Sequence, residues 1–141
     1  MSAEPTEPSA VPPPFPRRRS WHRKFGDAFR GLKLGVRGHS SFFVHFFIAV
    51  MVIMAAAILE LSLERWCILL GSVAAVIAAE LFNSAMEMLC RVLEVHRLPE
   101  GKAPLDIAAG AVLAVSIGAA LIGTLVFVTR LFELRLLDWP G

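Results

Sequence analysis

The stretch that decides the fold is Trp66–Cys90, which reads "WCILLGSVAAVIAAELFNSAMEMLC". As a helix it is long enough to cross the roughly 30 Å hydrocarbon core of a bilayer. Within it lie two carboxylates, Glu80 and Glu87, and the amide of Asn83. A charge at the bilayer centre costs about 2.5–3.5 kcal/mol on insertion scales, so such residues mark a functional site by default. The stretch therefore predicts both a membrane helix and a polar site within it.

Two further apolar runs extend this prediction to the rest of the chain. The sequence has 141 residues, of which 56% are hydrophobic, and its mean hydropathy of +0.64 is too high for an ordinary soluble domain. Polar backbone groups in lipid must be satisfied within the segment, which favours helices over strands. We therefore predict an all-α integral membrane protein with three transmembrane helices, at about residues 42–61, 66–90 and 107–129.

The positive charge of the chain is concentrated before its first apolar run. Eight of the fourteen Lys and Arg residues lie there, namely Arg17, Arg18, Arg19, Arg23, Lys24, Arg30, Lys33 and Arg37. This bias predicts a cytoplasmic N-terminus. Apolar side chains recur at helical spacing between residues 20 and 37, which indicates an amphipathic helix on an anionic membrane surface. Residues 1–19 are rich in proline and basic residues and are predicted to be a disordered tail, so that the membrane domain comprises residues 20–141.

The polar residues of the second span share one face of the predicted helix. Glu80, Asn83, Ser84 and Glu87 fall on a single stripe, because residues three and four apart are neighbours on a helix. Counted from Trp66, Glu80 lies about 21 Å inward and Glu87 about 32 Å. A buried carboxylate is a competent general base for a hydroxyl group. A carboxylate at the interface can hold Mg²⁺ on a nucleotide polyphosphate.

Other interpretations of these acids remain open. Glu80 could instead be protonated and form a hydrogen bond to a neighbouring helix, and Glu87 can pair with Arg91 one turn away. A glutamate in a bundle rich in glycine and alanine could carry protons in an ion-translocating oligomer, although the other polar residues of the stripe would then be superfluous. His45, in the first apolar run, is interpreted as structural or solvated.

The spacing of the polar residues resembles that of a known family. The pattern "ExxNSAxE" at residues 80–87 is followed by "DIAAGAVL" at residues 106–113, and "AFRGLK" and "SFFVH" precede the first span. Together they resemble the prokaryotic diacylglycerol kinase family, which includes undecaprenol kinases, over about residues 21–132. The resemblance implies a small homotrimeric membrane enzyme with three spans per subunit. Such an enzyme transfers the γ-phosphoryl group of ATP to a lipid alcohol with the help of Mg²⁺.

The same resemblance assigns roles to individual residues. It implies that Glu80 is the proton acceptor and that Glu87 binds the metal ion. It also implies that Asn83 belongs to the active site and that Asp106 lies near the nucleotide. On this basis the nucleotide is expected to contact Asn83, Glu87 and Asp106.

The chain departs from the family pattern at four positions. His39 stands where the family carries a second metal-binding glutamate, and Phe43 stands where it carries an arginine. Arg91 replaces an aspartate, and Leu105 replaces a lysine that is a phosphate contact. These changes lie on the nucleotide side of the site and leave the predicted general base intact.

Three nearby side chains, those of His39, Arg91 and Lys102, are predicted to compensate for the lost metal and phosphate contacts. We expect His39 to bind the metal ion beside Glu87, and Arg91 and Lys102 to bind the phosphates of ATP. The predicted function is that of a kinase for diacylglycerol or undecaprenol at the cytoplasmic face of a bacterial inner membrane, with no nucleic-acid partner. The alternative is a catalytically lapsed relative that binds lipid or serves as a membrane scaffold.

Overall fold

The computed structural model describes residues 20–36, 40–94 and 99–137, and over these residues the chain is almost entirely helical. The predicted all-α class is therefore confirmed for these residues. The predicted tail at residues 1–19 and the candidate ligand His39 lie outside the described residues. In chain order the elements are α1 (Trp21–Val36), α2 (Ser40–Ile58), α3 (Leu63–Val92), a short 3₁₀ turn (Pro99–Lys102) and α4 (Ala103–Leu137).

Two helices in the described part of the chain are long and apolar enough to cross a membrane. They are Leu63–Val92 and Ala103–Arg135, as judged by length and composition. The first apolar run forms a shorter segment, Phe42–Ile58, whose length is about 26 Å at 1.5 Å per residue. Two of the three predicted spans thus reach full length, and the span formed by α2 remains a prediction.

The shorter length of α2 has a local cause in the backbone. The helix ends at Ile58, before the predicted boundary near residue 61, because the chain turns at Glu60, whose φ is 48°. The Glu60 N–H donates to the carbonyl of Ala57, and the Leu61 N–H donates to the carbonyl of Ala56, each at 3.2 Å. These bonds satisfy carbonyl groups that the end of the helix leaves unpaired.

The helix α3 is the element against which the other helices pack. The most extensive contact is with α4, and α2 and α1 also touch it. An apolar core lies at the end where α3 begins, and Trp66 and Phe127 pack against it. Many large apolar side chains face outward, as expected where lipid or another subunit covers the surface. The core consists of Ala56, Leu61, Leu69 and Val126.

The helix α1 exposes its aromatic side chains and approaches α3 closely at one point. It has no buried residue, and Trp21 and Phe29 are both more than two-thirds exposed. A Cβ atom added at Gly35 would lie 2.6 Å from Cδ2 of Leu81 on α3, so the lack of a side chain permits this approach. The predicted amphipathic helix is therefore confirmed as a helix, whereas its position on a membrane surface remains a prediction.

Three helix ends are joined by charged side chains, which we call the terminal ion-pair cluster. Arg65 on α3 donates through both terminal nitrogens to the carboxylate of Glu133 on α4, with Nη1 2.8 Å from Oε2. Arg130 donates Nε–H to the carbonyl oxygen of Leu59 at 2.9 Å, and its Nη1 lies 3.5 Å from Oε2 of Glu133. Because Leu59 follows α2 directly, the cluster connects the ends of α2, α3 and α4.

We expect Glu133→Gln to lower the thermal midpoint of unfolding by a few degrees, because two arginines would lose their shared carboxylate. The matched control is Glu64→Gln, which removes an exposed carboxylate next to Arg65 in the first turn of α3. Thermal unfolding in detergent at low and high salt is the measurement. High salt should reduce the difference in thermal midpoint between Glu133→Gln and the parent protein, because it screens the ion pairs. Equal midpoints for Glu133→Gln and Glu64→Gln at low salt would contradict the assigned role.

Candidate functional site

Glu80 is buried at the contact between α2 and α3. The residue is only 2% exposed, and its Oε1 lies 2.8 Å from Nε2 of His45 on α2. A carboxylate that is removed from water needs a hydrogen-bond partner, and His45 provides one from a different helix. The contact joins the polar stripe of α3 to α2.

The rest of the stripe continues from Glu80 along the same face of α3. Asn83 donates Nδ2–H to Oε1 of Glu87 at 3.0 Å. Ser84 is 2% exposed, whereas the side chain of Phe82 points away from the stripe and is 76% exposed. The predicted shared face of Glu80, Asn83, Ser84 and Glu87 is therefore confirmed.

The oxygen atoms of Asn83 and Glu87 suit a hard metal ion. Within the described ranges, Oδ1 of Asn83 is buried without a hydrogen-bond partner, and it lies one turn from the Glu87 carboxylate. No group of three His, Cys, Asp or Glu side chains that could enclose a metal is found among those residues. Mg²⁺ commonly takes one or two protein carboxylates and completes its shell with water and substrate phosphates. The donor set fits such an open site.

The other predicted nucleotide-binding residues lie where α3 ends and α4 begins. Arg91 is in the last turn of α3, Lys102 ends the 3₁₀ turn, and Asp106 is in the first turn of α4. All three are exposed, so they are accessible from solvent. Phe43 is 64% exposed, and Leu105 is half-buried. Nucleotide binding by Arg91, Lys102 and Asp106 remains a prediction.

An apolar groove leads from the middle of the bundle to the buried pair. It is a cavity of about 720 Å³ between α2, α3 and α4, and His45 is its sole ionisable lining residue within the described ranges. On α3 the lining includes Val76 and Ile77, and Glu80 follows on the same face. On α4 the lining runs from Ser116 to Val128, about 18 Å along the helix.

His45 is the residue of this site that sequence reasoning missed. It was expected to be structural or solvated, whereas the structure places it against Glu80. A local pattern gives no indication of which residue on another helix lies opposite Glu80. One feature of the sequence could have indicated a role for His45. It is a titratable side chain in an otherwise apolar run, and it lies within the "SFFVH" segment that fits the family.

Comparison with known proteins finds a family profile and a named relative that match the chain. The sequence profile described as prokaryotic diacylglycerol kinase matches residues 26–127. The chain is 30% identical over 109 residues to the undecaprenol kinase of Bacillus subtilis (strain 168), an alignment that covers 77% of this chain and 89% of the relative. No solved structure matches the chain significantly.

The fold and the site define an all-α protein with apolar helices of spanning length and a buried acidic stripe. The chain belongs to the prokaryotic diacylglycerol kinase family, of which it is a divergent member. The matched segment contains Glu80, Asn83, Glu87 and Asp106, as well as His45.

Proposed function

We propose that the protein is a lipid kinase that transfers the γ-phosphoryl group of ATP to diacylglycerol or undecaprenol at the cytoplasmic face of the bacterial inner membrane. The observation that carries this proposal is the buried carboxylate of Glu80 just beyond the end of an apolar groove. A lipid tail in the groove would bring its hydroxyl group towards Glu80. The family and the name of the Bacillus relative support the same class of reaction.

In the proposed reaction Glu80 acts as the general base. Its carboxylate accepts the proton of the lipid hydroxyl while the hydroxyl oxygen attacks the γ-phosphorus of ATP. The O–H bond breaks, a new O–P bond forms, and the bond to the leaving ADP breaks. Glu80 lies one turn beyond the groove-lining residues Val76 and Ile77, and Glu87 lies about 10 Å further along the helix axis, towards the exposed end of α3.

The nucleotide would be held at this exposed end. Glu87 and Asn83 offer oxygen atoms to Mg²⁺, which neutralises phosphate charge when it is bound. Arg91 would donate hydrogen bonds to the phosphates and Lys102 would contact them as a point charge, both from the solvent side, with Asp106 nearby. Their exposure supports access by a soluble ligand.

A lapsed relative that binds lipid or acts as a scaffold is the second candidate. The comparisons do not favour it, because the similar Bacillus protein is named as a kinase. The retained polar stripe also argues against it. A carboxylate that is almost fully buried is a poor source of stability, which a scaffold would require.

Glu80→Gln should reduce turnover about 10²–10⁴-fold, because glutamine keeps the shape of the side chain but cannot accept the proton. Binding of ATP should persist, since the nucleotide residues are unchanged. The measurement is phosphoryl transfer by purified protein with ATP, Mg²⁺ and a panel of lipid alcohols. The control is Glu64→Gln, an exposed carboxylate near the opposite end of α3. Near-normal turnover in Glu80→Gln would remove Glu80 from the mechanism.

Arg91→Asp should weaken the apparent affinity for Mg²⁺-ATP about tenfold, because a charge-assisted bond to phosphate would be lost and repulsion introduced. An intrahelical pair with Glu87 is worth only a few tenths of a kcal/mol and should yield to the nucleotide. The control is Arg135→Asp, an exposed arginine at the other end of α4. Tighter binding or a gain in activity would mean that Arg91 obstructs the site.

The proposed enzyme is a homotrimer with α2, α3 and α4 as its three spans. One chain of this size has few helices with which to enclose a polar site, and polar faces in lipid favour association. The third span also leaves space for a neighbour, since nothing lies within 4 Å of a Cβ atom placed at Gly110 or Gly118. Active sites at subunit boundaries would follow from such packing.

We expect a detergent-corrected mass of three times the 15.4 kDa chain mass. Light scattering or sedimentation that accounts for bound detergent is the measurement, with phosphoryl transfer assayed on the same sample. A mass equal to one chain, with activity retained, would refute the trimer.

A further inference from the structure

His45 stands between the apolar groove and the proposed general base. It lines one end of the groove, and its Nε2 lies 2.8 Å from Oε1 of Glu80. The His45 side chain is 22% exposed, whereas that of Glu80 is 3% exposed. A lipid hydroxyl that reaches Glu80 from the groove must therefore pass beside the imidazole.

The geometry of this contact is suited to fixing a carboxylate. A distance of 2.8 Å is that of a well-formed N–H···O hydrogen bond. A glutamate side chain has three rotatable bonds, and a hydrogen bond from His45 restricts the orientations that its carboxylate can adopt. Proton transfer requires a defined orientation, because acceptor and hydroxyl must lie within hydrogen-bond distance.

We propose that His45 is the positioning residue for Glu80 and that this role rests on the proposed kinase function. The His45 Nε2–H donates to Oε1 and holds the carboxylate in the orientation in which it accepts the lipid proton. His45 acts through Glu80 and takes no part in the bonds that form and break. Its effect therefore falls on kcat, with little effect on the KM for ATP.

A purely structural tie between α2 and α3 explains the contact less well. Without this contact, α2 is still attached to the other helices at its C-terminal end. The apolar core around Ala56 and the hydrogen bond from Arg130 to the Leu59 carbonyl hold it there. Buried polar pairs are also poor sources of stability, since apolar replacements of similar volume are often neutral or stabilising. The presence of this pair is therefore better explained by function than by stability.

The test compares two substitutions at one position. His45→Leu removes the donor and should reduce kcat about 10–100-fold, because the base is misplaced. His45→Gln places an amide N–H near the position of Nε2 and should restore kcat to within a few fold of the parent. The control is Phe46→Leu, a neighbouring, outward-facing residue that is 55% exposed. Thermal midpoints and detergent-corrected masses of all variants confirm that they are folded.

A second arm separates positioning from other effects. In a Glu80→Asp background the carboxylate is one methylene shorter and withdrawn from His45, so His45→Leu should cost little further activity. The proposal would be overturned if the losses of kcat in His45→Leu and Glu80→Asp were fully additive in the double variant. It would also be overturned if His45→Gln lost as much kcat as His45→Leu, or if His45→Leu kept the parental kcat. If Glu80→Gln inactivates the enzyme while His45→Leu does not, this inference fails alone. If Glu80→Gln is fully active, the proposed function fails first.

Discussion

The constraint on which this structure depends is the burial of one carboxylate in an apolar helix bundle. Glu80 needs a partner from outside its own helix, and His45 meets that need across the interface between α2 and α3. The pairing lies where α2 meets the polar face of α3. It also sets the end of the apolar groove, because His45 is both a lining residue and the partner of Glu80.

The two ends of α3 have different physical characters. Where the helix begins, apolar packing and the terminal ion-pair cluster hold three helix ends together. Towards the other end, the Asn83–Glu87 pair is half-buried and the flanking cation Arg91 is exposed. The groove lies between these regions and is almost entirely apolar. This gradient from packed to solvated suits a reaction between a ligand that arrives through lipid and a ligand that arrives through water.

Local patterns in the sequence were sufficient for some of these features and insufficient for others. The apolar runs predicted α3 and α4, and helical periodicity placed Glu80, Asn83 and Glu87 on one face, because both signals depend only on near neighbours. The end of α2 was wrong by a few residues, since the turn at Glu60 carries no glycine or proline signal. The pairs His45–Glu80 and Arg65–Glu133 were missed because they join residues distant in sequence.

The terminal ion-pair cluster has a consequence for how such a chain can diverge. Arg65 lies fifteen positions before Glu80, about 22 Å away along α3, so the interactions that fasten the helices are remote from the acidic stripe. The departures from the family pattern at Phe43, Arg91 and Leu105 lie near the other ends of α2, α3 and α4 and leave the fastened end untouched. Residues near the acidic stripe can therefore change while the interactions that hold the helices together stay intact.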